Sequence, residues 1–145
     1  MTDIAIVPKL VVAGADRAIE FYQKALNAEI IARYTAPDGS VVYSELRVGD
    51  AVISIKDEDG TDRAASTLGG SPVILTLEVD DADAVESRML DAGASTIFPV
   101  DDRDYGYRQG RVEDPFRYQW IISQRTEDLN TAEVQQRLDT VIGES

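Results

Sequence analysis

Ala18-Ile19-Glu20-Phe21-Tyr22-Gln23-Lys24-Ala25-Leu26-Asn27-Ala28 decides how the chain is read. Ala18, Ile19, Tyr22, Ala25 and Leu26 recur at the three- and four-residue spacing of one helix face, and Glu20, Gln23 and Lys24 fall on the opposite face. Gly14-Ala15-Asp16 opens this helix, with Arg17 on the outer side. Before it, residues 4–12 form a β-branched run that reads as a buried strand, and Pro8 confines that strand to an edge or a bulge. After it come three strands, over residues 29–36, 40–48 and 51–56. Pro37-Asp38-Gly39 and Gly49-Asp50 separate them, both hairpin signals. The unit is βαβββ.

The pattern then repeats. A small, acidic, Gly-containing stretch reads as a linker. Residues 72–79 read as a strand, and Asp81 is a natural cap for a helix that turns Val85, Met89 and Ala92 inward and stops at Gly93. Strands are expected at 95–100, 110–113 and 118–123, with turns at Asp104-Tyr105-Gly106 and Asp114-Pro115. Asn27 and Gly93 are offset by 66, Gly39 and Gly106 by 67, and Gly49 and Pro115 by 66, so one unit is used twice. The expected organisation is a first module over 1–57, a linker over 58–71, a second module over 72–125 and a C-terminal helical extension over 126–145. In that extension Val134, Leu138, Val141 and Ile142 are the apolar stripe, and Asn130 or Thr131 is the cap. The fold class is α+β, with two mixed sheets curled into cups whose concave side suits a ligand.

Composition narrows the function. In 145 residues, 14 Lys and Arg stand against 27 Asp and Glu, a net charge of −13 that disfavours nucleic acid. Cys and His are both absent, which removes thiolate nucleophiles, disulfides, imidazole ligands and the commonest neutral-pH general base. No Gly-x-Ser-x-Gly elbow or phosphate-binding Gly loop is present. No signal peptide or membrane-length apolar run is evident, so a cytoplasmic protein with no membrane partner is expected.

The helix quoted above resembles the A-I-x-F-Y-x-x-x-L-G-A helix of the vicinal oxygen chelate superfamily, the glyoxalase, bleomycin-resistance and dioxygenase group, in its PhnB-like branch. Pro37-Asp38-Gly39, Tyr43-Ser44-Glu45-Leu46-Arg47-Val48-Gly49-Asp50 and Tyr105-Gly106-Tyr107-Arg108 followed by Asp114-Pro115-Phe116 extend the likeness. The resemblance implies tandem βαβββ modules, a homodimer, and a ligand cavity in each cup. It also implies that metal-dependent relatives place ligands near positions that here hold Val7 or Pro8, Ser54, Ile74 and Ile121, none a usual metal ligand. The family's D-P-F-G-H-x-W signature appears as Asp114-Pro115-Phe116-Arg117-Tyr118-Gln119-Trp120, with Arg for Gly and Tyr for His. Glu45, Asp57, Glu58, Asp59 and Asp62 offer oxygen donors, but their run lacks calcium-loop spacing and reads as a solvated charge run; no metal and no cofactor are expected.

Six residues are the expected ligand contacts: Tyr43, Glu45, Tyr107, Arg108, Tyr118 and Trp120. Period-two alternation puts Tyr43 with Glu45, and Tyr118 with Trp120, on shared faces. Aromatic walls would stack a flat or cationic ligand, with Glu45 as polar anchor. The competing reading packs Trp120 in the core and pairs Glu45 with an Arg. Tyr105, Tyr107 and Arg108, beside Asp104 and Arg111, form a recognition-type loop or an ordinary hairpin turn. Arg33 and Arg47 read either as anion-binding groups in the first cup or as exposed strand residues paired with acids. The expected function is metal-independent binding of a small cationic or amphiphilic molecule. The alternative is a lyase or isomerase with Glu45 as base (the candidate catalytic residue) or metal ligand and Tyr43 or Tyr118 as proton donor. A third reading fills the cup with side chains and leaves an interaction module.

Overall fold

The computed structural model describes residues 3–143. Met1 and Thr2 of the first module, and Glu144 and Ser145 of the C-terminal extension, lie outside the described residues. Within them the chain runs β1 (Lys9–Val12), α1 (Ala15–Leu26), β2 (Glu29–Thr35), β3 (Val41–Val48) and β4 (Ala51–Asp57). A short α2 (Ala65–Leu68) precedes β5 (Ile74–Glu78), α3 (Ala82–Ala92), β6 (Ser95–Arg103), β7 (Tyr107–Glu113), β8 (Gln119–Arg125) and α4 (Thr131–Gly143). Two four-stranded sheets result, ordered β1-β4-β3-β2 and β5-β8-β7-β6, and each has one parallel pair, β1 with β4 and β5 with β8. The fold is α+β, two βαβββ modules and a C-terminal helix.

The duplication extends to a capping device. Gly14 has no side chain to cap α1, so Asp57 at the end of β4 accepts from the N–H groups of Gly14 (3.2 Å) and Ala15 (2.8 Å). At the equivalent place Gln124 Oε1 accepts from Ala82 N at 2.9 Å, beside the local cap that Asp81 gives Ala84 N. A strand end thus satisfies helix N–H groups that have no partner within the helix in both halves. α4 begins with a reciprocal capping box: Asn130 Oδ1 accepts from Glu133 N (2.8 Å) and Glu133 Oε1 from Asn130 N (3.2 Å).

The modules join through their helices. α1 packs on α3, and Arg88 Nε reaches the Ala25 carbonyl at 3.3 Å. Beside that seam lies the carboxylate of Asp114, which is 3% exposed. Its Oδ2 accepts from the Tyr22 hydroxyl and, at 2.9 Å, from Trp120 Nε1; its Oδ1 accepts from Phe116 N (2.8 Å) and Tyr118 N (3.1 Å). Phe21, Tyr22, Phe116 and Trp120 close around it, Phe21 edge to face with Tyr22 and Phe116, and Tyr22 tilted against Trp120. The Tyr118 hydroxyl carries the junction to β1, donating to Val11 O (2.8 Å) and accepting from Val11 N (3.1 Å).

Several boundaries differ from the sequence reading. Residues 4–7 are outside any strand, Ile4 and Ile6 are exposed, and the β1 ladder starts after Pro8, whose ring nitrogen has no N–H to donate. The linker is not bare coil: Ala64 and Ala65 are buried and α2 sits against β1. β6 and β7 are longer than expected because their hairpin pairing continues to Arg103 and Tyr107, with Tyr105 in the turn between them.

Asp114→Ala leaves four buried donors without their acceptor and should cost about 3–5 kcal/mol; Tyr22→Phe should cost about 1–2 kcal/mol. Urea unfolding measures both. Burial raises the Asp114 pKa above its ordinary value of 3.8, against the pull of its donors. The folded state therefore takes up this proton at higher pH than the unfolded chain. As pH falls from 7 through the raised value toward 3.8, wild type should gain stability relative to Asp114→Asn, and the gain should level off below that.

Candidate functional site

Each sheet buries the face turned to its helix and leaves the other open. In the first sheet Leu10, Val12, Leu46, Ile53 and Ile55 fill the helix side, so alternation turns Lys9, Tyr43, Glu45 and Ser54 to the opposite side, where Ser54 is itself buried beneath its neighbours. Tyr43 donates to Glu45 Oε1 at 2.6 Å, stacks on Tyr34 with ring centroids 6.1 Å apart, and lies 5.6 Å beneath Lys9 Nζ. Tyr34 is 60% exposed. The result is an aromatic plate held by one acid and already covered at one edge by a cation.

In the second sheet Val112, Trp120 and Ile122 fill the helix side, and Tyr107, Gln109, Arg111, Ile121 and Ser123 occupy the open one. Two shallow cavities lie there. One, of about 310 Å³, is lined by Phe98, Arg103, Tyr105, Gln109, Gly110, Arg111 and Ile121. The other, of about 270 Å³, is lined by Glu78, Val79, Asp80, Tyr107, Ser123 and Arg125. Gln109 stitches the face together: its Oε1 accepts from the Tyr105 hydroxyl (2.6 Å) and its Nε2 donates to Ser123 Oγ (2.8 Å).

The expected contacts therefore separate. Tyr43 and Glu45 stand together on the first open face, and Tyr107 stands on the second. Arg108 is turned to the helix side, where it donates to both oxygens of Asp83 at 2.9 Å and to Asp102 at 3.1 Å. The expectation that Tyr118 and Trp120 line a cup is corrected in placement. They do share a face, but it is the inner one, because the Asp114 carboxylate and the Val11 peptide satisfy their polar ends there. Trp120 is only 3% exposed. Arg33 pairs with Asp16 and Arg47 with Glu29, as expected of surface strand residues. Tyr34 also stands on these faces, as do Lys9, Phe98 and Arg103 without a signal in the sequence that marks them as contacts, and Arg111, expected only as a neighbour of the Tyr105–Arg108 loop, joins them. Tyr34 could have been found by counting back from the Pro37-Asp38-Gly39 turn, since the hairpin sets it opposite Tyr43.

Comparison with known proteins places this architecture. Residues 4–122 match the model of the Glyoxalase/Bleomycin resistance protein/Dioxygenase superfamily, and the chain belongs to that superfamily. An uncharacterized protein of Mycobacterium bovis is 36% identical over 136 residues, 90% of each chain. Among solved structures, TioX from Micromonospora sp. ML1 is similar with a TM-score of 0.66, 20% identity and coverage of 88% of this chain and 100% of its own. The fosfomycin resistance protein FosX of Listeria monocytogenes, complexed with Mn(II) and sulfate, gives a TM-score of 0.67, 16% identity and coverage of 95% and 99%.

The residues present do not fit a metal centre of the kind the family resemblance implies. Ser54 is buried with its Oγ unpaired, and Ile74 and Ile121 are hydrocarbon. Among the described residues no three His, Cys, Asp or Glu side chains converge to hold an ion. The acidic run is otherwise engaged. Asp59 accepts from Thr61 N and Asp62 N, and Asp59 and Asp62 both accept from Lys56 Nζ, at 2.8 and 2.7 Å. Glu58 accepts from Ala64 N and Thr67. These bonds hold the Asp59 and Glu58 carboxyls below the usual range.

The Glu45 carboxylate raises the pKa of the Tyr43 phenol above its ordinary 10.0 by accepting its proton in a hydrogen bond. Glu45→Gln should bring Tyr43 ionisation back toward that value. Tyrosine ring carbon shifts followed through alkaline pH measure it.

Proposed function

We propose that the protein is a homodimeric, metal-independent receptor for a small, flat amphiphilic or cationic molecule. The observation that carries this reading is that each sheet packs its helix on one face only, leaving Tyr34, Ile74 and Phe98 exposed on the other, while the modules are joined through their helices. A single chain then offers two half-cups, and a second copy related by a two-fold axis lets the first sheet of one protomer face the second sheet of its partner. The exposed apolar groups on these sheets, Tyr34, Ile74 and Phe98 among them, support such a closure. Tyr34 and Tyr43 supply a stacking surface, Glu45 a polar anchor, and the net charge of −13 a long-range field that draws cations. The donor-poor positions described above support binding without an ion. TioX is a neighbour in fold alone, and FosX adds only that the superfamily's fold serves resistance proteins.

A second reading rests on the Tyr43–Glu45 pair, a proton donor and an acid 2.6 Å apart on the open face. It makes Glu45 the base, or a ligand, of a lyase or isomerase.

Light scattering on a sizing column should give twice the monomer mass, and Tyr34→Glu with Phe98→Glu should return the monomer. Calorimetry with flat cationic dyes should show saturable binding that weakens with salt. A persistent monomer without dye binding overturns the receptor reading. Stoichiometric metal by elemental analysis, or glyoxalase turnover with added Mg²⁺, Mn²⁺, Ni²⁺ or Zn²⁺, replaces it with the enzyme.

A further inference from the structure

Among the described residues eight of the fourteen Lys and Arg side chains sit against acids, and Arg103 and Arg111 are among the six that do not. Neither has a carboxylate within ion-pair distance among the described residues, and both line the larger cavity of the second sheet. Arg111 makes a single hydrogen bond, from Nη1 to Gln119 Oε1 at 3.2 Å, and its Nε is buried with no acceptor. A guanidinium carries five donors, so it is held here well short of satisfaction. Its charge centre lies 5.5 Å from the ring of Phe98, itself 53% exposed. Arg103 is fixed in direction by its bonds to the carbonyls of Gln109 (3.2 and 2.8 Å) and Pro99 (3.0 Å), which are neutral acceptors. None of the described lining residues carries a carboxylate.

We propose that this cavity binds an oxyanion carried on a flat apolar body, an aromatic carboxylate or phosphoryl compound, with Arg111 and Arg103 gripping the anion and Phe98 and Ile121 supporting the ring. A planar guanidinium presents paired N–H groups that match two oxygens of such a group, and its own stacking on Phe98 leaves a continuous flat surface for the ring. The overall negative charge does not forbid this. Charges spread over the surface are damped within about 8 Å at physiological salt, whereas a guanidinium in contact with its ligand is not. The inference rests on the reading of the open faces as ligand walls and deepens it: an amphiphilic ligand would meet cations on this wall and the Tyr43–Glu45 plate on the other.

The test titrates ¹⁵N-labelled full-length protein with benzoate, phenyl phosphate, inorganic phosphate and, as a charge-reversed control, benzylammonium. Benzoate or phenyl phosphate should give saturable shifts at Arg111 Nε–H and at the Gly110 and Ile121 amides, and the stronger of the two identifies the anion. Inorganic phosphate should bind more weakly for want of a ring. Arg111→Met should weaken the better probe by about tenfold or more, Arg111→Lys should recover only part of that, and Arg103→Met should weaken it independently. Equal or tighter binding of benzylammonium, or anion shifts unchanged in both Arg variants, overturns the proposal. So does an Arg111 signal that moves on Glu45→Gln and ignores every probe, since the missing acceptor is then a carboxylate of a second copy. A dimer that binds cationic dyes but no anion removes this inference and leaves the receptor reading in place.

Discussion

A buried carboxylate that two modules share holds the molecule in one arrangement. Asp114 belongs to the turn before β8, yet it takes the hydroxyl of Tyr22 from α1 of the other half, the indole N–H of Trp120 and two peptide N–H groups of its own turn. Satisfied in this way, a charge that would be expensive in the interior becomes a fastener. It requires α1 to lie beside α3 with Tyr22 aimed at the seam, and the aromatic rings then have one way to pack. With the helices so occupied, both sheets must turn their remaining faces outward. The openness of those faces is therefore a product of the joint.

The helical stripe of α1, the hairpin turns and the repeat offset were all legible because they are local periodicities, and the modules follow from them. Phe21 shows the limit. It lies off the stripe that defines α1, but it is buried because the second module covers that flank too. Tyr118 and Trp120 illustrate the same limit at the site. Alternation paired them correctly but could not say which side of the sheet the pair takes. That side is set by Asp114 and by the peptide of Val11, 107 positions away in sequence. Arg108 was misplaced by a different cause: the β6–β7 ladder runs three residues further than the turn signals suggest, and strand alternation then swings it to Asp83.

The open walls differ in character although their scaffolds share an origin. Glu45 pairs in register with Ser54, and Arg111 with Ile121, its counterpart in the second ladder, so duplication has left an acid on one wall and a base on the other at matching places. The long-range field of the chain is negative, but a ligand in contact with either wall meets local chemistry that the net charge does not describe. Residue-level charge, and not composition, governs what these surfaces select.

The two inherited hairpin turns have taken different paths. Gly39 and Gly106 share a φ of 88°, in the left-handed region, so both disfavour most side chains. Around Gly39 there is open space, and an Asn or Asp able to adopt that conformation has room there. At Gly106 a Cβ would come 2.9 Å from Leu129, because the segment leading to α4 crosses over the turn and bonds to its carbonyl through Thr126 and Glu127. One corner thus keeps its latitude for substitution, while its counterpart, roofed by the segment that leads into α4, accepts a side chain only if Leu129 gives way.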